Sequence, residues 1–125
     1  MEVKIDTKEK FTVITILDEF LSANMTADIS NKLLPFLQNV VKNIVLKMEK
    51  VKQIDAAAAE AIAQVQQTYY ENSASFVICD LQPEVESELE KLELTDVLNI
   101  TPSESEAWDI VQMEEIEREL LDGPE

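Results

Sequence analysis

Five short apolar runs along the chain have the composition of β-strands. The run at 11–17, Phe-Thr-Val-Ile-Thr-Ile-Leu, is rich in β-branched residues, and 3–5 is a shorter candidate before it. The runs at 43–48 and 75–79 are almost continuously apolar, which is typical of strands buried on both faces. A weaker candidate covers 97–100. These runs predict the strands of one sheet.

Between these runs, apolar residues recur at three- and four-residue steps, and this spacing predicts helices. The first helix is expected behind a cap at Thr26, and Pro35 predicts a kink or a break within it. Its apolar positions are Ile29, Leu33, Leu34, Leu37 and Val40. A third helix should follow Pro83, with Val85, Leu89 and Leu92 on one stripe.

The second helix is predicted over 56–71. Asp55 is its natural N-cap, because its carboxylate can accept hydrogen bonds from the free amides of the first turn. The residues expected to face inward are Ala58, Ala61, Ile62, Val65 and Tyr69.

The fourth helix opens at Thr101, which can cap it, with Pro102 at the first helical position and Glu104 closing a capping box. We expect it to reach about Leu121 and to end at Gly123-Pro124. Its apolar stripe contains Ile110, Met113, Ile116 and Leu120. Part of this stripe should cover the sheet, and the portion beyond Val111 should project and offer an apolar strip to a partner helix or a second copy.

The alternation of strands and helices predicts an α/β fold with a mixed, mostly parallel sheet flanked by about four helices. No linker, repeat or low-complexity tract divides the chain. We therefore expect one domain over 1–112, with 113–125 as an acidic extension of its C-terminal helix.

Composition excludes most familiar enzyme mechanisms. The chain has no histidine and one glycine, which rules out histidine-based acid–base chemistry and glycine-rich phosphate loops. The single cysteine, Cys79, cannot form an internal disulfide, and we expect it to be a small core residue. The sequence predicts no catalytic residue, no metal site and no cofactor.

The net charge of −16 is concentrated in the second half of the chain. Residues 1–79 carry 10 acids against 8 lysines, whereas residues 80–125 carry 16 acids against Lys91 and Arg118. This field disfavours nucleic acid and anionic membrane surfaces as partners. The glutamates at 84–90 and 114–119 could suggest metal binding or acid–base chemistry, but they do not converge on a helix, so we expect a solvated face. The acidic field as a whole is either a solvated surface or an acidic face for a basic partner.

The N-terminus lacks the apolar core of a signal peptide, and no stretch approaches the length of a membrane span. With one free cysteine on a predicted strand, the expected location is a reducing cytoplasm.

The ordered set of these elements resembles the STAS domain, the anti-sigma factor antagonist family, over about 1–112. The resemblance is carried by the strands 11–17 and 43–48, by Ile54 and Asp55, by the stretch 76–79, and by 98–100 followed by Ser-Glu-Ser-Glu-Ala at 103–107. It implies a bacterial protein that binds an anti-sigma factor, itself a serine kinase, and so frees a sigma factor. In the family, the kinase switches the antagonist off by phosphorylating a serine at the start of the second helix.

The phosphoacceptor of the family is missing here. Asp55 is followed by Ala56, Ala57, Ala58 and Ala59, and no serine or threonine occurs before Thr68. Either these alanines are strong helix formers packed under the sheet, or they form a partner-binding turn that is locked in the unphosphorylated form.

Two functional hypotheses follow from the resemblance. The first is a non-enzymatic module that regulates transcription by binding an anti-sigma factor or switch kinase through Asp55, Ala56, Ala57, Ala58, Ala59 and the first helix. The second is a structural subunit of a larger signalling or lipid-transport complex. In either case the last helix is also a candidate surface for a homodimer.

Overall fold

A five-stranded sheet separates two layers of helix in the computed structural model, which describes residues 1–121. The strands are β1 (Val3–Thr7), β2 (Thr12–Ile16), β3 (Phe20–Leu21), β4 (Ile44–Lys47), β5 (Gln53–Ile54), β6 (Phe76–Cys79) and β7 (Ile100–Thr101). The main sheet has the order β1-β2-β4-β6-β7. Only the pair β1–β2 is antiparallel, so the sheet is mixed and mostly parallel, as predicted.

Within residues 1–121, four α-helices flank the sheet: α1 (Thr26–Leu33), α2 (Ala56–Glu71), α3 (Pro83–Lys91) and α4 (Glu104–Leu121). The bounds of α2 match the predicted range. Helix α1 passes into a 3₁₀ helix at Leu34–Gln38, where Pro35 interrupts the α-helical hydrogen bonding. The predicted break at Pro35 is therefore confirmed.

The three central strands are buried on both faces because helices cover both sides of the sheet. Residues paired across β2, β4 and β6 form one apolar row toward α1, α2 and α3 and another toward α4. The first row is Ile14, Leu46 and Ile78, and the second is Val13, Val45 and Val77. This two-sided burial explains the near-continuous apolar runs in the sequence.

Helix α4 is attached to the sheet by apolar contacts in its first half and by polar contacts in its second half. Ala107 and Val111 are fully buried against the sheet. One turn further on, Glu114 accepts hydrogen bonds from the Ser75 hydroxyl at 2.6 Å and the Tyr70 hydroxyl at 2.7 Å. Arg118 donates to the same Ser75 hydroxyl at 2.9 Å. The second half of α4 is therefore held along the domain, and the prediction that it projects is wrong.

The apolar stripe predicted for the first helix extends too far. Val40 is fully exposed, because the helical conformation ends at Gln38 and the chain turns toward β4. Thr26 is the first residue of α1 rather than its cap, since a 3₁₀ turn at Ala23–Met25 leads directly into the helix.

The start of α4 also differs from the prediction. Thr101 lies in β7, and the cap is Ser103, whose hydroxyl accepts a hydrogen bond from the Glu106 amide at 3.3 Å. The predicted end at Gly123-Pro124 lies outside the described residues.

The strand predicted at 97–100 is shorter and begins later, at Ile100. The Gln66 side chain donates to the Val97 carbonyl and accepts from the Asn99 amide, each at 2.9 Å. A side-chain amide thus satisfies the backbone groups that a strand neighbour would have satisfied.

Candidate partner-binding surface

A second, two-stranded sheet brings the start of the first helical segment beside the start of α2. Strand β3 pairs in parallel with β5, so that Phe20 lies opposite Gln53 and Leu21 opposite Ile54. Leu21 and Ile54 are buried and anchor this small sheet in the core. The sequence offered no signal for it, because two residues are too few to show a periodic pattern.

Asp55 connects the two segments. Its backbone amide donates to the Leu21 carbonyl at 2.9 Å, and its carboxylate accepts from the Ala23 amide at 2.9 Å. Asp55 does occupy the N-cap position of α2, but its side chain makes no hydrogen bond to the first turn of that helix. The predicted capping bond is wrong, because the carboxylate is taken by the neighbouring segment.

The four alanines after Asp55 divide into two pairs. Ala58 and Ala59 are fully buried in the core, whereas Ala56 and Ala57 are exposed. Packing therefore accounts for the second pair only. The first pair forms an exposed, uncharged surface in the first turn of α2.

A shallow groove lies next to this turn. Its walls come from Phe20, from Gln53 and from Glu84 and Glu88 of α3, and it shares Phe20, Gln53 and Glu84 with a neighbouring cavity of about 470 Å³. The Phe20 side chain is 46% exposed, which is unusual for a large aromatic residue and is typical of a contact surface. Phe20 was not predicted as a contact residue; the available signal was an aromatic residue between the strand predicted at 11–17 and the first helix.

Charges around the groove are predominantly acidic. Lys52 pairs with Glu19 at 3.0 Å, so its charge is compensated locally. Asp55, Glu84 and Glu88 add further negative charge along the same side. The surface is thus suited to a partner that presents apolar and basic groups.

Cys79 is a core residue, as predicted. It is fully buried, and this burial, together with the neighbouring Asp80 carboxylate, raises the pKa of its thiol to about 12. A thiol that stays protonated at neutral pH is a poor nucleophile. Among the described residues, no group of three or more acidic or cysteine side chains could hold a metal ion.

A second charged cluster lies at the carboxyl end of the main sheet. The Lys47 ammonium is within 4 Å of three carboxylates, at 3.6 Å from Glu104, 3.8 Å from Glu49 and 3.9 Å from Asp80. Burial lowers the pKa of Lys47, but the three carboxylates outweigh this effect and raise it. The cluster connects β4, β6 and α4, and we assign it a structural role.

No helix among residues 1–121 is long and apolar enough to cross a membrane.

Comparison with known proteins places the chain in a family. The family model described as the STAS domain matches residues 2–107. No sequence among the curated proteins matches the chain.

Solved structures with the same fold come from proteins of different sizes. An anti-sigma-factor antagonist (STAS) domain protein from Planctomyces limnophilus has a TM-score of 0.75 at 16% identity, with 88% of this chain and 97% of that chain covered. A serine-to-glutamate variant of RsbS from Moorella thermoacetica has a TM-score of 0.72 at 14% identity, with 90% and 96% covered. A similar domain forms part of the murine anion transporter Solute Carrier 26 family member A9, with a TM-score of 0.72 at 15% identity, 86% of this chain and 18% of the transporter being covered.

Proposed function

This chain belongs to the STAS domain family, and we propose that it is a non-enzymatic protein-interaction module of the anti-sigma factor antagonist type. In this proposal it binds an anti-sigma factor or switch kinase in the bacterial cytoplasm and thereby regulates transcription. Its contact surface consists of Asp55, the exposed Ala56 and Ala57 of the alanine turn Ala56–Ala59, α1 and the exposed ring of Phe20. It is not phosphorylated at the position that the family uses.

The observation that carries the proposal is the exposure of Ala56 and Ala57, which directly follow Asp55 at the groove that Phe20 also lines. Only two of the four alanines are needed for packing, so the exposed pair leaves an uncharged surface at the position of the family's switch. A phosphate at this position would add up to two negative charges to a surface that already carries several acids. Without a hydroxyl, the turn keeps the charge state that permits binding.

A charge substitution at Ala57 tests the site. The tagged chain and its Ala57→Glu variant are used to recover partners from a lysate of the source organism, and the recovered proteins are quantified by mass spectrometry. We expect the native chain to recover a serine-kinase-like ATPase or an anti-sigma factor, and the variant to recover about tenfold less. Ala57→Glu should fold normally, because a carboxylate in the first turn of a helix interacts favourably with the helix dipole.

A matched control comes from the same helix. Gln64→Glu adds the same charge at an exposed position two turns away and should leave recovery unchanged. Ala57→Ser restores a hydroxyl, and the recovered kinase should then transfer phosphate to it. Absence of any kinase or anti-sigma factor, or equal recovery by Ala57→Glu and the native chain, would contradict the proposal.

A structural subunit of a larger complex is the second candidate function. It is favoured by the absence of the phosphoacceptor together with an exposed apolar strip on α4, where Met113 and Ile116 are each 56% exposed and Leu120 is 77% exposed. Recovery of a multi-subunit assembly without a kinase supports this candidate. Light scattering after size-exclusion chromatography adds to the test, since stable self-assembly indicates a scaffold and a monomer indicates a transient regulator.

A further inference from the structure

The outer face of α4 carries an apolar strip that no other part of the described chain covers. We define the strip as Met113, Ile116 and Leu120, which are three and four residues apart and therefore share one face of the helix. Each lies two residues from Val111 or Arg118 on the sheet-facing side, and a step of 100° per residue turns it almost directly away from the sheet. The strip is thus not needed for packing within the domain.

The rims of the strip are acidic. Asp109 lies one turn before Met113, Glu117 lies one turn after it, and Glu119 lies three residues after Ile116; all three are exposed. The one cation of the helix, Arg118, is turned inward and donates to the Ser75 hydroxyl and to the Asn43 side chain. The outer face therefore combines apolar side chains with uncompensated negative charge.

This combination of charge and shape selects the occupant. We propose that the strip binds a basic amphipathic helix of another protein, whose apolar residues cover Met113, Ile116 and Leu120 and whose lysines or arginines face the acidic rims. A second copy of the chain would instead bring Asp109, Glu117 and Glu119 against the same acids, and the described part of this face offers no cation to offset them. Charge complementarity therefore favours a basic partner over self-association.

The position of the strip makes this surface independent of the alanine turn. Helix α2 begins at the carboxyl end of the sheet, whereas Glu114 and Arg118 contact Ser75, which immediately precedes β6 at the opposite end. The 16 residues of α2 span about 24 Å between these ends. The domain can therefore hold one partner at the turn and another at the strip, which is the geometry of an adaptor.

Binding of a designed peptide tests the proposal. The probe is a fluorescent 18-residue helical peptide with leucine at heptad spacing and lysine at the flanking positions, and its control is a scrambled peptide of the same composition. Fluorescence anisotropy should show saturable binding of the amphipathic peptide, at least about tenfold tighter than that of the scrambled peptide. Increasing salt should weaken this binding, because the rims contribute by charge.

Substitutions separate the strip from the general acidity of the chain. Ile116→Gln with Leu120→Gln keeps every charge and should weaken binding about tenfold. The matched control is Val97→Gln, at a valine with the same 56% exposure as Ile116. Glu117→Gln with Glu119→Gln should weaken binding, whereas Glu86→Gln with Glu90→Gln removes the same number of exposed acids from α3 and should not.

Three results would overturn the proposal. The first is that the amphipathic peptide shows no saturable binding up to about 1 mM. The second is that the amphipathic and scrambled peptides bind equally well. The third is that the chain forms a dimer, which dissociates when Ile116 and Leu120 are replaced. The last result would show that a second copy covers the strip. Ala57→Glu should leave peptide binding unchanged, so failure at the turn and failure at the strip can be distinguished.

Discussion

At the scale of single residues, the alanines of α2 give a direct test of what the turn is for. Ala58 is fully enclosed, so leucine in its place must displace core side chains, which costs about 1–3 kcal/mol of unfolding free energy. Ala57 is exposed, so Ala57→Leu should change stability by less than about 0.5 kcal/mol. Urea unfolding of the two variants measures the difference. Equal destabilisation would mean that the turn is uniformly packed and offers no free surface.

The buried thiol of Cys79 predicts a loss of stability at high pH. Burial and the adjacent Asp80 raise its pKa from 9.0 to about 12, so above pH 9 the unfolded chain releases a proton that the folded chain retains. The stabilisation is complete below pH 9 and falls by up to about 1.4 kcal/mol per pH unit as the pH rises toward 12. Burial also raises the pKa of Tyr69, which adds a loss of the same sign.

Urea unfolding between pH 8 and pH 10.5 checks this prediction. Cys79→Ala removes one of the ionising groups and should therefore show a shallower loss of stability above pH 9 than the native protein. Below pH 8 the difference between the two proteins should be constant. Parallel curves over the whole range would show that the thiol titrates in the folded state as it does in the unfolded chain.

At the scale of elements, the second half of α4 depends on a polar network rather than on apolar packing. Arg118→Leu removes the donor to the Ser75 hydroxyl and to the Asn43 side chain, and we expect a loss of about 1–2 kcal/mol. Hydrogen exchange should become faster at amides 113–121 but not at 104–111, where Ala107 and Val111 remain buried.

Glu117→Gln serves as the control for this experiment, because Glu117 is exposed on the same helix. It should leave hydrogen exchange along α4 unchanged. A uniform acceleration along the whole of α4 in Arg118→Leu would contradict the division of the helix into two differently attached halves.

The elements that could be predicted from the sequence are those stabilised by their own apolar pattern. Strands β2, β4 and β6 and helix α2 belong to this group, because burial of regularly spaced apolar residues determines them. The missing hydroxyl of the alanine turn is visible in the sequence, but the exposure of Ala56 and Ala57 and the burial of Ala58 and Ala59 are visible only in the fold.

The features that could not be predicted depend on polar contacts between distant segments. The Asp55 carboxylate bonds to Ala23, and Gln66 replaces a strand neighbour beside Val97. No local pattern encodes such contacts, since either side chain could have bonded equally well within its own helix. For the same reason, the sequence could not predict the contact between Ser75 and Arg118 that holds α4 along the domain.

At the scale of the whole molecule, the net charge of −16 should lower stability through repulsion between carboxylates. Two of the ion pairs within residues 1–121, Lys8 with Asp6 and Lys52 with Glu19, join side chains that are both exposed, and such pairs contribute little. Salt should therefore stabilise the protein, because it screens the repulsion between the many carboxylates more than it weakens the attraction within the few ion pairs. We expect the midpoint of thermal unfolding to rise by several degrees between about 10 mM and 300 mM sodium chloride.

A variant with fewer charges tests whether repulsion is the cause. Glu90, Glu93, Glu117 and Glu119 are exposed, lie outside the first turns of the helices and are replaceable by glutamine without loss of packing. The fourfold variant should be more stable than the native protein at low salt and should gain less from added salt. If salt instead lowered the melting temperature, favourable ion pairs such as those around Lys47 would outweigh the repulsion. The uneven distribution of charge would then help to stabilise the fold, and it could attract a basic partner without lowering the stability of the protein.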